Sequence, residues 1–204
     1  TAQVNGGTHM SFEDGGLTRN IPGLVVFEPC DNVSLEKLIR KAAEYEGCTY
    51  MRLHRKGGNI IYKEDDEFEL GKGVVLRDGS DVTLVATGLV MVAEALAAAD
   101  ELEKEGISAA VIDMHTIKPI DRDLIVKYAQ KTGAFVTCEN HQVVNFLGSA
   151  VAEVLAEEHP ALLRRVGVQD EFGEVGKLDY LKERYGLTAA NIAENARAVL
   201  EKKK

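Results

Sequence analysis

Cysteine is scarce in this chain, and its distribution argues against a disulfide scaffold. Cys30, Cys48 and Cys138 lie far apart, form no CxxC pair and are odd in number, which fits a reducing compartment, read here as cytoplasmic. Cys138 closes an apolar run and reads as a small buried hydrophobe. Basic charge is also short: 24 Lys and Arg stand against 33 Asp and Glu, a formal net charge of −9. Without a basic stripe to neutralise phosphates, nucleic-acid binding is argued against. The one dense basic run, Lys202-Lys203-Lys204, reads as a solvated helix end or tail. No segment approaches the length of a membrane span, and the N-terminus has no basic-then-apolar signal pattern. Internal repeats and low-complexity segments are lacking too. What remains is an ordinary globular composition, 204 residues with 45% hydrophobic and 28% charged side chains, enough for one large domain or two small ones.

The richest stretch chemically is the first. Gly6-Gly7-Thr8-His9 is followed by Glu13-Asp14 and then by Arg19-Asn20-Ile21-Pro22-Gly23. A glycine-rich loop dense in titratable groups reads as part of a site rather than a connector. Glu13 and Asp14 could form a catalytic acid pair, but adjacent carboxylates at a turn are more often helix N-terminal charge, and that reading is preferred.

Beyond this loop, strands and helices alternate. Residues 24–28 form an apolar run closed by Pro29, and Asp31 is placed to cap a helix carrying Leu35, Leu38, Ile39, Ala42 and Ala43 on one face. Residues 49–55 predict a second strand that delivers Arg55 to its C-terminal end, where ligands sit in open α/β sheets. Residues 59–71, with the acidic run at 64–67, predict a surface linker. A hairpin is expected across Asp78-Gly79, joining strands at 73–77 and 81–86. Further strands are expected at 109–114, 134–138 and 162–168, each followed by a helix, with Asp121 and Thr188 as caps. This order implies right-handed βαβ units and a mostly parallel sheet. Residues 1–70 supply too few elements to cover their own sheet faces, so that piece either docks on the second half or lacks part of its domain.

The Gly-x-Thr-His segment at 6–9, Arg19 to Gly23, Glu28-Pro29-Cys30-Asp31 and Arg52-Leu53-His54-Arg55 together resemble the later part of the pyrimidine-binding domain of transketolases. Val82 to Gly88, Asp113 to Asp121 (with Ile-Lys-Pro-Ile-Asp) and Glu139-Asn140-His141 resemble the transketolase C-terminal domain. The resemblance implies an α/β fold. Residues 1–70 would be an incomplete pyrimidine-binding domain, 71–80 a linker and first strand, and 81–204 a three-layer C-terminal domain. It also implies ketol transfer between sugar phosphates with thiamine diphosphate and Mg2+. No Gly-Asp-Gly occurs here, and the glutamate that meets the aminopyrimidine would lie upstream of Thr1. The cofactor is therefore expected on other residues, with an N-terminal transketolase section or subunit as partner, a two-fold homodimer, and no activity for this chain alone.

By the same resemblance, His9 would contact the reacting oxygens of the sugar, a task suited to imidazole at neutral pH. Arg55 would clamp the sugar phosphate with its planar fork. Asn5 would contact a sugar hydroxyl at a position where many transketolases carry Asp. Arg52 is expected to form a structural ion pair, and His54 is left without a role. For His115, Glu139 and His141 at strand ends, hydrogen bonding at a dimer interface is preferred over a ligand or metal site. Alternatives to transketolase are 1-deoxy-D-xylulose-5-phosphate synthases, the β subunits of 2-oxo acid dehydrogenases, and a non-catalytic assembly or regulatory domain. The phosphate-holding Arg55 favours transketolase over the two related enzymes.

Overall fold

The structure is a computed structural model that describes residues 9–55 and 57–203, so Asn5 lies outside the described residues. The fold is α/β. In the larger sheet, β4 (Val82–Ala86) is central, with β5 (Ala109–Asp113) and β7 (Ala134–Gln142) parallel on either side and β8 (Leu162–Val168) parallel beyond β7. Every residue of β4 is buried, as expected of a strand covered on both faces. Helices α3 (Gly88–Lys104) and α7 (Ala189–Lys203) pack one face, and α4 (Arg122–Thr132) and α5 (Leu147–Glu157) the other. Local signals set these ends: the Asp121 carboxylate accepts from the Leu124 N–H, and Gly133 ends α4 in the left-handed region at φ 60°.

The expected hairpin across Asp78-Gly79 does not form. Strand β3 (Val74–Arg77) pairs antiparallel with β5 instead, so β5 separates it from β4. The turn is pinned to the start of β5. Ser80 and Asp81 donate backbone N–H groups to the Ser108 carbonyl, and the Asp81 carboxylate accepts from the Ser108 N–H at 2.7 Å. Gly79 lies so close that an added Cβ would meet the Ala109 and Ala110 backbone at 2.3 Å. This anchoring carries the chain across β5 rather than back along β3.

A smaller sheet has the order β2 (Thr49–Met51), β1 (Val25–Phe27), β6 (Thr116–Lys118). β1 and β2 are parallel, while β6, contributed by the second half of the chain, joins β1 antiparallel. The first segment therefore docks on the second half. Asp31 caps α2 (Asn32–Glu44) in a reciprocal capping box with Ser34, as expected.

Residues 59–71 are more than a surface linker. Glu64, Asp65 and Glu67 are exposed, but Tyr62 and Phe68 are buried in the core. The second oxygen of Asp31 accepts the N–H groups of Ile61 and Tyr62 at 2.8 and 2.9 Å. The Tyr62 hydroxyl donates to Asp113 at 2.8 Å, and Phe68 meets Tyr62 and His115 edge-on. The segment straps the two sheets together. Among the described residues, no helix is long and apolar enough to cross a membrane.

Candidate active site

The opening stretch contains a short helix that begins at the Glu13-Asp14 pair, as the preferred reading of those two carboxylates expected. α1 (Asp14–Arg19) lays its glycine face on the C-terminal half. A Cβ at Gly15 would lie 2.3 Å from the Phe146 ring, and one at Gly16 would lie 3.2 Å from His141. The Gly16 N–H donates to His141 Nε2 at 3.0 Å, the Phe12 carbonyl accepts the Gln142 N–H at 2.8 Å, and Phe12 packs edge-on against Tyr185 of α6 (Leu178–Tyr185). Lys118 of β6 donates its ammonium to the carbonyls of Arg19 and Ile21 at the C-terminal end of α1.

This docking shapes a cleft of about 470 Å³ between residues 9–14 and 50–55. His9 and Arg55, 46 positions apart in sequence, both line it. The predicted strand through Arg55 is shorter than expected: β2 ends at Met51, and residues 52–55 form an irregular rim.

Behind the cleft lies a buried charge cluster, of which only the Arg52 ion pair was expected from sequence. Arg52 is 8% exposed. Its Nε donates to both Asp14 oxygens at 3.1 and 2.9 Å, Nη1 to Glu28 Oε1 at 3.1 Å, and Nη2 to the Ser11 carbonyl at 2.8 Å. Tyr50 adds its hydroxyl to Asp14 at 2.8 Å, and His54 Nε2 lies 3.3 Å from Glu28 Oε1. Burial would raise the Asp14 and Glu28 pKa values, but Arg52, with Tyr50 at Asp14 and His54 at Glu28, outweighs it and holds both below the ordinary range. Burial and the Asp14 carboxylate together push the Tyr50 hydroxyl up to about 12. Asp14 is thus an ion-pair partner as well as the first helical residue, while Glu13 accepts from Ser11 and the Phe12 N–H at the turn.

The strand-end residues His115, Glu139 and His141 were expected at a dimer interface. They are instead buried within this chain, at most 1% exposed. His141 stacks on Phe146 with ring centroids 4.5 Å apart, and burial lowers its pKa. His115 bonds through Nδ1 to the Thr116 hydroxyl at 3.0 Å, and burial pushes its pKa down to about 4. Glu139 accepts the Gly148 N–H at the start of α5, yet burial dominates and raises its pKa to about 8. Among the described residues, no group of three or more His, Cys, Asp or Glu side chains is placed to hold a metal ion.

Residues 1–59 match the pyrimidine-binding domain of transketolase, and residues 71–192 match the transketolase C-terminal domain. A 6-deoxy-6-sulfo-D-fructose transketolase subunit from Clostridium sp. is 53% identical over 203 residues, covering 100% of this chain and 63% of that protein. A 1-deoxy-D-xylulose-5-phosphate synthase from Heliobacterium modesticaldum is 43% identical over 202 residues, covering 97% of this chain and 31% of that protein. Among solved structures, a split-gene transketolase described as an inactive beta4 tetramer superposes with a TM-score of 0.92 at 47% identity, covering 97% of this chain and 64% of that one. The chain belongs to the transketolase family. It spans less than two thirds of the length of these relatives.

Proposed function

We propose that this chain supplies the sugar-binding wall of a transketolase, which moves a two-carbon ketol unit between sugars bearing an anionic end group. The observation that carries the reading is the cleft that His9 and Arg55 both line, with Arg52 beside them held by Asp14, Glu28 and the Ser11 carbonyl. His9 would handle protons and hydrogen bonds at the reacting oxygens, and Arg55 would clamp the terminal anion. Asn5 would contact a sugar hydroxyl. The relatives' names carry both a sulfonated and a phosphorylated sugar, and a guanidinium fork suits either group.

Thiamine diphosphate with Mg2+ would supply the carbanion chemistry. Among the described residues no group of three or more His, Cys, Asp or Glu side chains is placed to hold a metal ion, and in this reading the diphosphate and its metal would be held by the complementary section. The complementary section would come from an N-terminal transketolase partner, with a two-fold homodimer completing the assembly.

Mixing this chain with a complementary transketolase section, thiamine diphosphate and Mg2+ tests the proposal. Ketol transfer to an aldose phosphate is expected, and a complete assembly that transfers none would sink it. If the assembly decarboxylates a 2-oxo acid instead, the synthase reading replaces it. In the active assembly, Arg55→Ala should raise KM for a ketose phosphate at least tenfold, and by much less for the same ketose without phosphate. An equal rise for both would remove the clamp role.

A further inference from the structure

We propose that His54 is a specificity-determining residue of this cleft, binding the anionic end of the sugar beside Arg55 while buried Glu28 holds its ring in place. This rests on the ketol-transfer reading above. Three residues of the 52–55 segment carry cationic or imidazole side chains, and the structure gives them different freedom. Arg52 is held by Asp14, Glu28 and the Ser11 carbonyl, which fix its guanidinium in the structure. His54 lines the cleft, and its one hydrogen bond among the described residues runs from Nε2 to Glu28 Oε1 at 3.3 Å. Its Nδ1 is left for a ligand.

Glu28 is suited to the holding role. Its side chain is completely buried, and Oε1 is shared between Arg52 and His54. Gly88, the first residue of α3, packs directly on it: a Cβ there would lie 2.4 Å from Oε1. The absence of that Cβ makes room for the carboxylate at the N-terminal end of a long helix, where negative charge is favoured. With the carboxylate wedged and the His54 side chain only 10% exposed, the ring has few orientations open to it.

Phosphate and sulfonate oxygens accept hydrogen bonds and do not donate them when ionised. A neutral ring that gives Nε2–H to Glu28 offers the substrate only a lone pair. A protonated ring donates from both nitrogens, one to Glu28 and one to the substrate anion, and these charge-assisted bonds are the stronger kind. If His54 were merely a structural partner of Glu28, its loss would lower stability and would not discriminate between sugars.

The test compares wild-type and His54→Ala assemblies on a ketose phosphate and on the same ketose lacking phosphate. KM for the phosphorylated sugar should rise about tenfold, with kcat/KM for the unphosphorylated sugar within about twofold of wild type. Equal losses on both sugars would overturn the proposal. His54→Gln, which can keep a bond to Glu28 without the charge, should fall between the two. A readout independent of turnover uses inorganic phosphate as the probe. It should raise the thermal unfolding midpoint of the wild-type chain, and by clearly less for His54→Ala. Identical shifts in both proteins would refute the role. A wild-type assembly without ketol transfer would sink the catalytic reading, and the phosphate shift would then decide His54 alone.

Discussion

The two sheets of this protein are held by different means. The larger sheet is mostly sequence-local in construction: β4, β7 and β8 are each followed directly by a helix, and caps such as Asp121 and Gly133 set the boundaries. The smaller sheet has short strands, borrows β6 from the other half, and, besides its buried strand β1, is pinned by non-local polar bonds through Arg52, Asp31 and Lys118. Apolar burial spread over many side chains tolerates the loss of any one of them. A region pinned by one guanidinium between buried Glu28 and partly buried Asp14 does not. The site lies on the second kind of region, where polar groups are already converged and a ligand's charge can be read.

The largest break in this comparison comes from Arg52→Met. It leaves Asp14 and Glu28 without their shared cation, and removing one partner from a buried pair costs about 3–5 kcal/mol. The urea midpoint should fall accordingly. Hydrogen exchange should accelerate first in residues 11–28 and 49–55 and spare β4, β5 and β7. Uniform acceleration across both sheets would show that they unfold as one unit. In the wild type both carboxyls titrate below their ordinary values of 3.8 and 4.5. Their contribution to stability is therefore complete above pH 5 or so and is lost as pH falls through the folded values. Without Arg52 the depression goes, and acid unfolding should begin at higher pH.

The difference between the regions also decides what sequence could reveal. In the larger sheet, helical spacing, apolar runs and capping residues all pointed to the structure found, because each element carries its own signal. The mistaken hairpin at Asp78-Gly79 fits this rule, since what redirects β3 is a contact with Ser108, distant in sequence. In the first region the motifs flagged His9 and Arg55, which do share a cleft. Glu28 and Asp14 as partners of Arg52, and Tyr50 as a partner of Asp14, gave no periodic signal, because these groups are brought together by tertiary pairing of segments distant in sequence. Alternation around Tyr62 and Phe68 was likewise masked by the acidic run between them.

Gly15→Ala probes that docking at a smaller cost. Helix propensity alone would favour alanine, by up to about 1 kcal/mol. The added methyl would overlap Phe146, which is fully buried and stacked on His141 with little room to withdraw. Overpacking of this kind costs about 1–3 kcal/mol, so a net loss in the urea midpoint is expected. A gain would mean that α1 is not seated on Phe146.

The effect at the strap changes with pH, and that change identifies its cause. Burial raises Asp113 from an ordinary 3.8 to about 7, against the lowering effect of the Tyr62 and Cys30 hydrogen bonds. A folded value above the unfolded one means that the native state holds the proton more tightly. Stability is therefore full below the ordinary value and declines as pH rises towards 7. The Tyr62 hydroxyl offsets part of that decline, because it donates to the ionised carboxylate at 2.8 Å. Tyr62→Phe keeps the ring and its edge contact with Phe68 while deleting the donor. Urea unfolding at pH 8.5 should show a loss of about 1.5–3 kcal/mol, the range for a hydrogen bond to a charged group. At pH 5.5, where Asp113 is largely neutral, the loss should shrink to about 1 kcal/mol or less. A loss equal at both pH values would mean that the strap is held by the apolar packing of Tyr62 and Phe68, making its attachment the same in kind as that of the larger sheet.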